Sequence, residues 1–184
     1  RAEGRHLIPQ KSTMDMGVQA GPIRLLLRAV YLWLTGRMHF PKGRIGERVC
    51  GEREYIVFRE MVVEPARGRH EESRAIFRVQ FKFARMSVKA NERLSLIPAP
   101  FIAAQPGFRS KLWTIDKSSG EFQGIYEWDT LPAAESYLNS FPMRLMKKRA
   151  VPGSVHYEVL IGHRNWMTQN AGGKQCKHEH SKTR

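Results

Sequence analysis

The sequence has little cysteine, comparatively few acidic residues and no apolar run long enough to cross a bilayer. Its two cysteines, Cys50 and Cys176, lie far apart, which argues against a disulfide framework and favours a reducing cytoplasm. Lys and Arg number 31 against 17 Asp and Glu, so the formal net charge is +14. A charge of this size attracts anions, so nucleic acid, anionic lipid and acidic small molecules are all open as partners.

Signatures of common catalytic and nucleotide-binding sites are also absent. The chain has no Walker loop, no GxGxxG after a strand and no GxSxG nucleophile elbow. Cys176, His178 and His180 have zinc-binding atoms, but they supply three ligands in a polar tail where structural zinc uses four. We therefore predict no metal site and no cofactor, and neither hydrolase nor nucleotide-driven chemistry.

A chain of 184 residues with 41% hydrophobic residues is sufficient for one domain with extensions. We expect a leader over residues 1–21 that is disordered or artificial, and it lacks the features of a signal peptide. Residues 22–74 should form an N-terminal helix, a basic connector and an extra strand. Residues 75–161 should form an α+β domain, and residues 162–184 a flexible basic tail.

The N-terminal helix is predicted from Pro22 to Thr35, with proline in its first turn and Gly36 at its end. Its apolar run Leu25–Leu34 is broken only by Arg28 and is shorter than the roughly 20 residues that span a bilayer. The helix could pack on its own domain or on a partner subunit. Alternatively, residues 22–36 could lie in an anionic membrane surface, with arginines near the headgroups.

The remaining segments predict strands and helices in the order β, α, β, β, α, β, preceded by one extra strand. The predicted strands are Tyr55–Val63 (the extra strand), then Ala75–Phe83, Phe108–Ile115, Glu121–Trp128 and Val155–Ile161. Residues 87–104 predict a helix in two parts because Pro98 and Pro100 interrupt it. A second helical pattern runs from Asp129 to Phe141, before a basic stretch. This order is the split βαβ arrangement of a ferredoxin-like fold.

Several motifs in this segment resemble a known family. They are Pro106-Gly107-Phe108, Lys111-Leu112-Trp113-Thr114, Gly124-Ile125-Tyr126 with Trp128, and Ala133-Ala134 with Tyr137-Leu138. Together they resemble the mono-oxygenase family of the dimeric α+β barrel superfamily, related to antibiotic-biosynthesis monooxygenases. The resemblance implies a homodimer with its two sheets face to face and a pocket between sheet and helices. Members oxidise phenol-like or quinol-like substrates with oxygen, some without a cofactor, while relatives degrade haem or only bind ligands.

Alternation along the strands predicts that polar and aromatic side chains converge on one surface. These are Arg78, Gln80, Lys82, Lys111, Trp113, Glu127, His156 and Glu158. An oxygenase without a cofactor must deprotonate a phenol or enol and stabilise the anion, and His156 is the candidate base. The candidate substrate-binding residues are Arg78, Gln80, Lys82, Arg109, Trp113, Tyr126 and Trp128. The same aromatic residues could instead be core residues, and the charged ones could form ion pairs.

Two functions stay open at this point. The first is a cytoplasmic oxidoreductase of the monooxygenase type, or a ligand-binding relative, acting on a small aromatic molecule. The second is a non-enzymatic basic module that binds an anionic membrane, a partner protein or RNA. The sequence argues against RNA, because the strand Arg78–Phe83 lacks the glycines of the RNA-recognition signature.

Overall fold

A computed structural model describes residues 21–50, 53–66, 75–84 and 87–162. The predicted leader, apart from Gly21, lies outside these residues, as do the end of the loop after β3 and the tail from residue 163 onward. The helices are α1 Pro22–Leu34, α2 Val88–Leu94, α3 Ala99–Ala103, α4 Leu131–Tyr137 and α5 Phe141–Arg149. The strands are β1 Met38–His39, β2 Arg48–Cys50, β3 Glu54–Val63, β4 Ala75–Phe81, β5 Phe108–Asp116, β6 Glu121–Trp128 and β7 His156–Ile161.

The strands form one antiparallel sheet in the order β1-β3-β5-β6-β4-β7, with β2 paired to β3 beside this path. From β4 to β7 the elements follow the predicted β, α, β, β, α, β order, with two short helices at each helical position. The α+β, ferredoxin-like fold class is therefore confirmed. Over the described ranges the sheet stays open, and the face-to-face homodimer that would complete a barrel remains a prediction.

All four helices of the domain, α2 to α5, lie on one side of the sheet, here called the helix face. Phe77, Val79, Trp113, Tyr126 and Trp128 point toward the helices and form the main core with Tyr137 of α4 and Ile102 of α3. The opposite side, called the far face, has a smaller apolar cluster that includes Ile76, Leu112 and Ile125. Full burial of one such side chain contributes about 1.5–3 kcal/mol, so the helix face supplies most of the stability.

Local sequence explains why the helical segments break where they do. Each of α2, α4 and α5 begins at a hydroxyl residue whose side chain accepts a hydrogen bond from a backbone N–H of the first turn: Ser87, Thr130 and Ser140. The prediction for residues 87–104 is confirmed, with α2 and α3 separated at Pro98. The prediction of one helix from Asp129 to Phe141 is wrong in part, because Ser140 and Pro142 start a separate helix through the basic stretch.

The N-terminal segment adds to the sheet and to the helix layer. Helix α1 is present as predicted, and the chain then turns at Gly36, whose φ is +69°. The Arg37 side chain donates two hydrogen bonds, of 3.0 and 2.9 Å, to the Glu64 carbonyl and so ties α1 to the end of β3. The connector was expected to lack regular structure, but β1 and β2 form in it because both pair with β3. Strand β3 is the predicted extra strand and extends the sheet beyond β5.

Candidate ligand-binding pocket

A pocket opens between the helix face of the sheet and the helices α2, α3 and α5. Its cavity volume is about 60 Å³, and it opens to solvent at its mouth. One water needs roughly 10–15 Å³ of such cavity volume, so the interior can take several waters or part of a small ring. Aromatic side chains form most of the sheet side of the wall: Phe81, Phe83, Trp113, Phe122 and Tyr126.

Lys111 brings an amine into this apolar pocket. The side chain is 6% exposed, and its Nζ lies 4.2 Å from the centre of the Trp113 ring and 4.5 Å from that of Tyr126. No carboxylate among the described residues forms an ion pair with Nζ. Burial, and then the positive charge of Arg59, lower the pKa of Lys111 well below its ordinary value. Burial therefore favours the neutral, proton-accepting form of this amine more than it would for an exposed lysine.

Asn91 of α2 adds a second polar group to the pocket wall. It is buried, and its Oδ1 has no hydrogen-bond partner among the residues that the structure describes. Burying an amide oxygen without a partner costs about 1–3 kcal/mol, so such a group calls for a water or a ligand. Lys111 Nζ and the Asn91 amide are thus two polar groups in a wall that is otherwise largely aromatic and aliphatic.

Gly124 shapes the aromatic side of the pocket. Strand neighbours two residues apart point to the same face, and the Tyr126 ring folds back over Gly124. A Cβ built on Gly124 would lie 2.7 Å from the Tyr126 Cε2 atom, so any side chain there would displace the ring. The Tyr137 hydroxyl donates a hydrogen bond of 3.4 Å to the Tyr126 hydroxyl, and burial raises the pKa of both phenols. Both rings are therefore neutral walls near pH 7.

Basic side chains lie at two places around the pocket. Arg149, at the end of α5, lines the pocket, and its guanidinium carbon is 5.3 Å from the centre of the Phe83 ring. Arg59 of β3 donates hydrogen bonds to the Glu92 carbonyl and to Ser95, and so fixes α2 against the sheet. The arrangement favours an apolar, flat ligand that carries a polar or acidic oxygen.

The structure separates the predicted site residues into two groups on opposite faces of the sheet. Trp113 and Tyr126 line the pocket on the helix face, together with Lys111. The residues on the far face are Arg78, Gln80, Glu127, His156 and Glu158. The predicted convergence on one surface is thus not observed. The cause is the alternation of faces along each strand, because paired residues on neighbouring strands point to the same face. Lys111 is paired with Tyr126, whereas Arg78 is paired with Ile125 and Glu158.

The far-face residues have partners of their own. Arg78 forms an ion pair with Glu158, and Gln80 Nε2 donates hydrogen bonds of 3.2 Å to the Tyr55 hydroxyl and to Gln123 Oε1. His156 is exposed and lies opposite Gln80 in the register. Its role as a base stays a prediction that requires the substrate to bind on the far face.

Three further candidates lie outside both groups. Arg109 pairs with Asp129 and clamps the start of β5 to the end of β6. Trp128 is fully buried and packs edge-on against Phe108, with ring centres 5.5 Å apart, so it is a core residue next to the pocket layer. Lys82 lies just beyond β4, where its backbone N–H donates to Ser154 Oγ at 3.1 Å. Substrate binding by these residues remains a prediction.

The structure bears on two other expectations. Within residues 21–50, 53–66, 75–84 and 87–162, no group of three or more His, Cys, Asp or Glu residues is placed to hold a metal ion. The tail residues Cys176, His178 and His180, for which no metal site was predicted, lie outside these ranges. No helix in the part of the chain that the structure describes has the length and apolar character needed to cross a membrane.

Sequence reasoning placed Lys111 on the candidate surface without naming a role for it, and it missed Asn91. Lys111 has the same strand parity as Trp113, so a buried Trp113 already implies a lysine on the buried face. Alternation did group the two residues, but both were assigned to the polar surface that also holds Arg78 and His156. Asn91 gave no comparable signal, since a polar residue in a short amphipathic helix is expected to be exposed.

Residues 76–159 match the model of the family described as "Putative mono-oxygenase ydhR". The matched range runs from β4 into β7 and contains Lys111, Asn91, Trp113 and Tyr126. The family resemblance inferred from the motifs is confirmed for this segment. No curated protein matches the chain.

Several solved structures are similar to this chain over part of its length. The heme-degrading enzyme LmHde from Listeria monocytogenes is 14% identical, with a TM-score of 0.47, covering 61% of this chain and 72% of that chain. A ferredoxin-fold protein related to antibiotic biosynthesis monooxygenases, from Listeria monocytogenes 4b F2365, is 15% identical, with a TM-score of 0.44 and coverage of 59% and 64%. An anthrone oxidase-like protein is 16% identical, with a TM-score of 0.42 and coverage of 60% and 55%.

Proposed function

We propose that this protein binds a small aromatic molecule with an acidic hydroxyl group in the pocket, and promotes its oxygenation by O₂ as a mono-oxygenase-like enzyme. The observation that carries the proposal is the buried amine of Lys111, which lies over Trp113 and Tyr126 and has no acidic partner among the described residues. The family match of residues 76–159 supports the same class of chemistry.

The pocket supplies the features that bind such a ligand. Trp113 and Tyr126 offer ring faces and edges for an aromatic body, and aromatic pairs add about 0.5–1.5 kcal/mol beyond the burial of area. A ligand hydroxyl placed against Lys111 Nζ would meet an amine that can accept its proton in the neutral form. The Asn91 amide can bind a second polar atom, which would remove the cost of its unpaired oxygen.

The chemistry requires a single proton acceptor near the ring. A phenol O–H bond breaks, its proton moves to Lys111 Nζ, and the ammonium then stabilises the phenolate. The electron pair at the para carbon forms a bond to O₂, and loss of the para proton with cleavage of the O–O bond leaves one oxygen on carbon. The second oxygen leaves as water. For 1-naphthol the balance is naphthol and O₂ giving 1,4-naphthoquinone and water.

The test uses the purified full chain with 1-naphthol as the probe. We expect perturbation of pocket signals in NMR spectra, consumption of O₂ and formation of quinone in equal amounts, and one labelled oxygen atom in the quinone when ¹⁸O₂ is supplied. Lys111→Met should lower the rate by about 10²–10⁴-fold, the usual contribution of a positioned base, while the probe still binds.

The matched control is Lys117→Met, because Lys117 is an exposed lysine in the β5–β6 hairpin, away from the pocket. It should leave the rate unchanged. If O₂ consumption never exceeds that of buffer with 1-naphthol, although the probe binds, the oxygenase part of the proposal is wrong. If neither the wild type nor Lys111→Met binds aromatic phenols, the ligand class is wrong.

A further inference from the structure

Helix α1 presents a second apolar face to solvent. Its inner side packs Leu25 and Ala29 against Ala104 and Phe101, and Leu32 joins the main core. On the outer side, six large apolar side chains are between 46% and 74% exposed: Ile23, Leu26, Leu27, Val30, Trp33 and Leu34. At 100° per residue these six fall on one arc of the helix surface. A contiguous exposed stripe of this kind marks an interaction surface.

The stripe is not needed to hold α1 in place. Backbone hydrogen bonds from Arg37 N–H to the Leu32 carbonyl, at 2.9 Å, and from Glu64 N–H to the Arg37 carbonyl, at 2.8 Å, already fix the end of the helix. Among the residues that the structure describes, none covers the outer side of α1, which is therefore open to a partner.

Positive charge lies along one flank of the stripe and in the segment that follows α1. Residues 21–50 contain six Lys and Arg against one Glu. Arg24 and Arg28 lie on the arc next to Tyr31, and neither forms an ion pair with any residue that the structure describes. In the connector, Arg44 is neutralised by Glu47, whereas Lys42 has no ion-pair partner in the same ranges. Apolar side chains are thus bordered by basic ones with hardly any acidic residue between them.

We infer that the outer side of α1 docks the protein on an anionic lipid surface. In such docking a helix lies in the plane of the interface, its apolar side chains enter the acyl boundary, and its basic residues meet the headgroup phosphates. Tyr31 and Trp33 are residue types enriched at this boundary, where one end of the ring is apolar and the other hydrated. The inference is independent of the proposed oxygenase activity.

Charge favours lipid over the other occupants. Two copies packed through α1 would bring two strongly basic segments together, which costs free energy, whereas anionic headgroups neutralise them. Nucleic acid would satisfy the arginines but would leave the apolar stripe exposed. Of these three occupants, the anionic lipid surface is the one that complements both features.

Docking through α1 would place the pocket close to the lipid. Helix α1 packs on α3, and Ile102 of α3 lines the pocket. One helix therefore separates the docked surface from the candidate site, which suits a ligand that partitions into membranes.

The test measures co-sedimentation of the full chain with vesicles of phosphatidylcholine alone or of phosphatidylcholine mixed with phosphatidylglycerol. We expect binding to the mixed vesicles only, with affinity falling as NaCl is raised. The double variant Leu27→Asp with Leu34→Asp should reduce binding at least about tenfold, because charges replace two membrane-facing side chains. Arg24→Gln with Arg28→Gln should reduce it roughly fivefold per arginine.

The matched control is Ile161→Asp, which replaces an apolar residue that is 81% exposed at the opposite edge of the sheet, on β7. It should bind as the wild type does, and circular dichroism should show the same fold in every variant. Binding that ignores lipid charge and salt, or survives Leu27→Asp with Leu34→Asp, would overturn the inference. A second result would also overturn it. In that case the wild type binds no vesicles, and sedimentation equilibrium shows that it is a dimer that the Leu27→Asp with Leu34→Asp variant dissociates.

Discussion

The polar side chains on the two faces of the sheet differ in the partners that they contact. On the far face the charged groups pair with one another: Arg78 forms an ion pair with Glu158, although Glu158 Oε1 makes no hydrogen bond to a described residue, and Gln80 bonds to Gln123 and to Tyr55. On the helix face, Lys111 lies over two aromatic rings with no acidic partner, and the Asn91 amide oxygen has no hydrogen bond within the described residues.

This contrast distinguishes residues that stabilise the fold from residues that are candidates to bind a ligand. Pairs on a partly exposed surface contribute little and place no constraint on chemistry. An unpaired amine in an apolar pocket costs stability, so its presence is best explained by a function that uses it. We therefore expect the chemistry at the polar groups that lack partners, and not at the residue types that are most often catalytic.

The largest expected effect is a difference in reaction rate between a variant of Lys111 and a variant of His156. If the pocket carries the chemistry, Lys111→Met should lower the rate of 1-naphthol oxygenation by about 10²–10⁴-fold, while His156→Ala changes it less than about twofold. Parallel initial-rate measurements of O₂ uptake decide the matter. Loss of activity in His156→Ala with normal activity in Lys111→Met would transfer the chemistry to the far face.

The next effect is a difference in the loss of stability between a substitution in the core and one in the pocket wall. Trp128 is sealed in the core, whereas Trp113 borders an existing cavity. Trp128→Ala should lower the free energy of unfolding by about 3–5 kcal/mol, and Trp113→Ala by at least about 1 kcal/mol less, since the space around it is already partly empty. Urea unfolding of both variants measures the difference. Equal losses would mean that the pocket is closed in solution.

The buried amine also predicts a dependence of stability on pH. The pKa of Lys111 is lowered in the folded state, so between that lowered value and the unfolded value near 10.4 the unfolded chain binds more protons. Stability of the wild type should therefore rise with pH through this window and fall as the pH is lowered. Lys111→Met should be more stable near neutral pH and should lack this part of the slope.

Thermal unfolding from pH 6 to about pH 10 compares the two proteins, and their melting temperatures should converge toward the alkaline end. Lys117→Met should keep the wild-type slope, because its lysine is exposed in both states. Parallel curves for the wild type and Lys111→Met would mean that the amine is charged and solvated in the folded protein.

Much of the fold could be predicted from the sequence because strand alternation and proline and glycine positions are local signals. The hairpin between β5 and β6 illustrates this: Asp116 accepts hydrogen bonds from Ser118 and Ser119, as its turn composition indicates. Strands β1 and β2 were missed because they exist only through pairing with β3. The start of α5 was missed because the basic stretch hid the capping signal of Ser140.

The candidate site was harder to predict because faces depend on register across strands. Alternation within β5 places Lys111 and Trp113 on the same face. Only the pairing of Trp113 with Gly124 on β6 brings these two residues next to Tyr126. The sequence analysis placed Lys111 and Trp113 on one surface with charged residues that the structure puts on the far face. Burial of a lysine is rare and depends on what the helices cover, which one strand cannot reveal.

The smallest expected effect is at the Arg78–Glu158 pair on the far face. Both side chains are about one third exposed, so Arg78→Gln should lower the free energy of unfolding by about 0–1 kcal/mol. A double-mutant cycle with Glu158→Gln isolates the coupling between them. The same measurement tests the predicted homodimer, because a sheet packed face to face would bury this pair. In that case one substitution would cost about 3–5 kcal/mol, and the loss would depend on protein concentration, since it would act on the dimer.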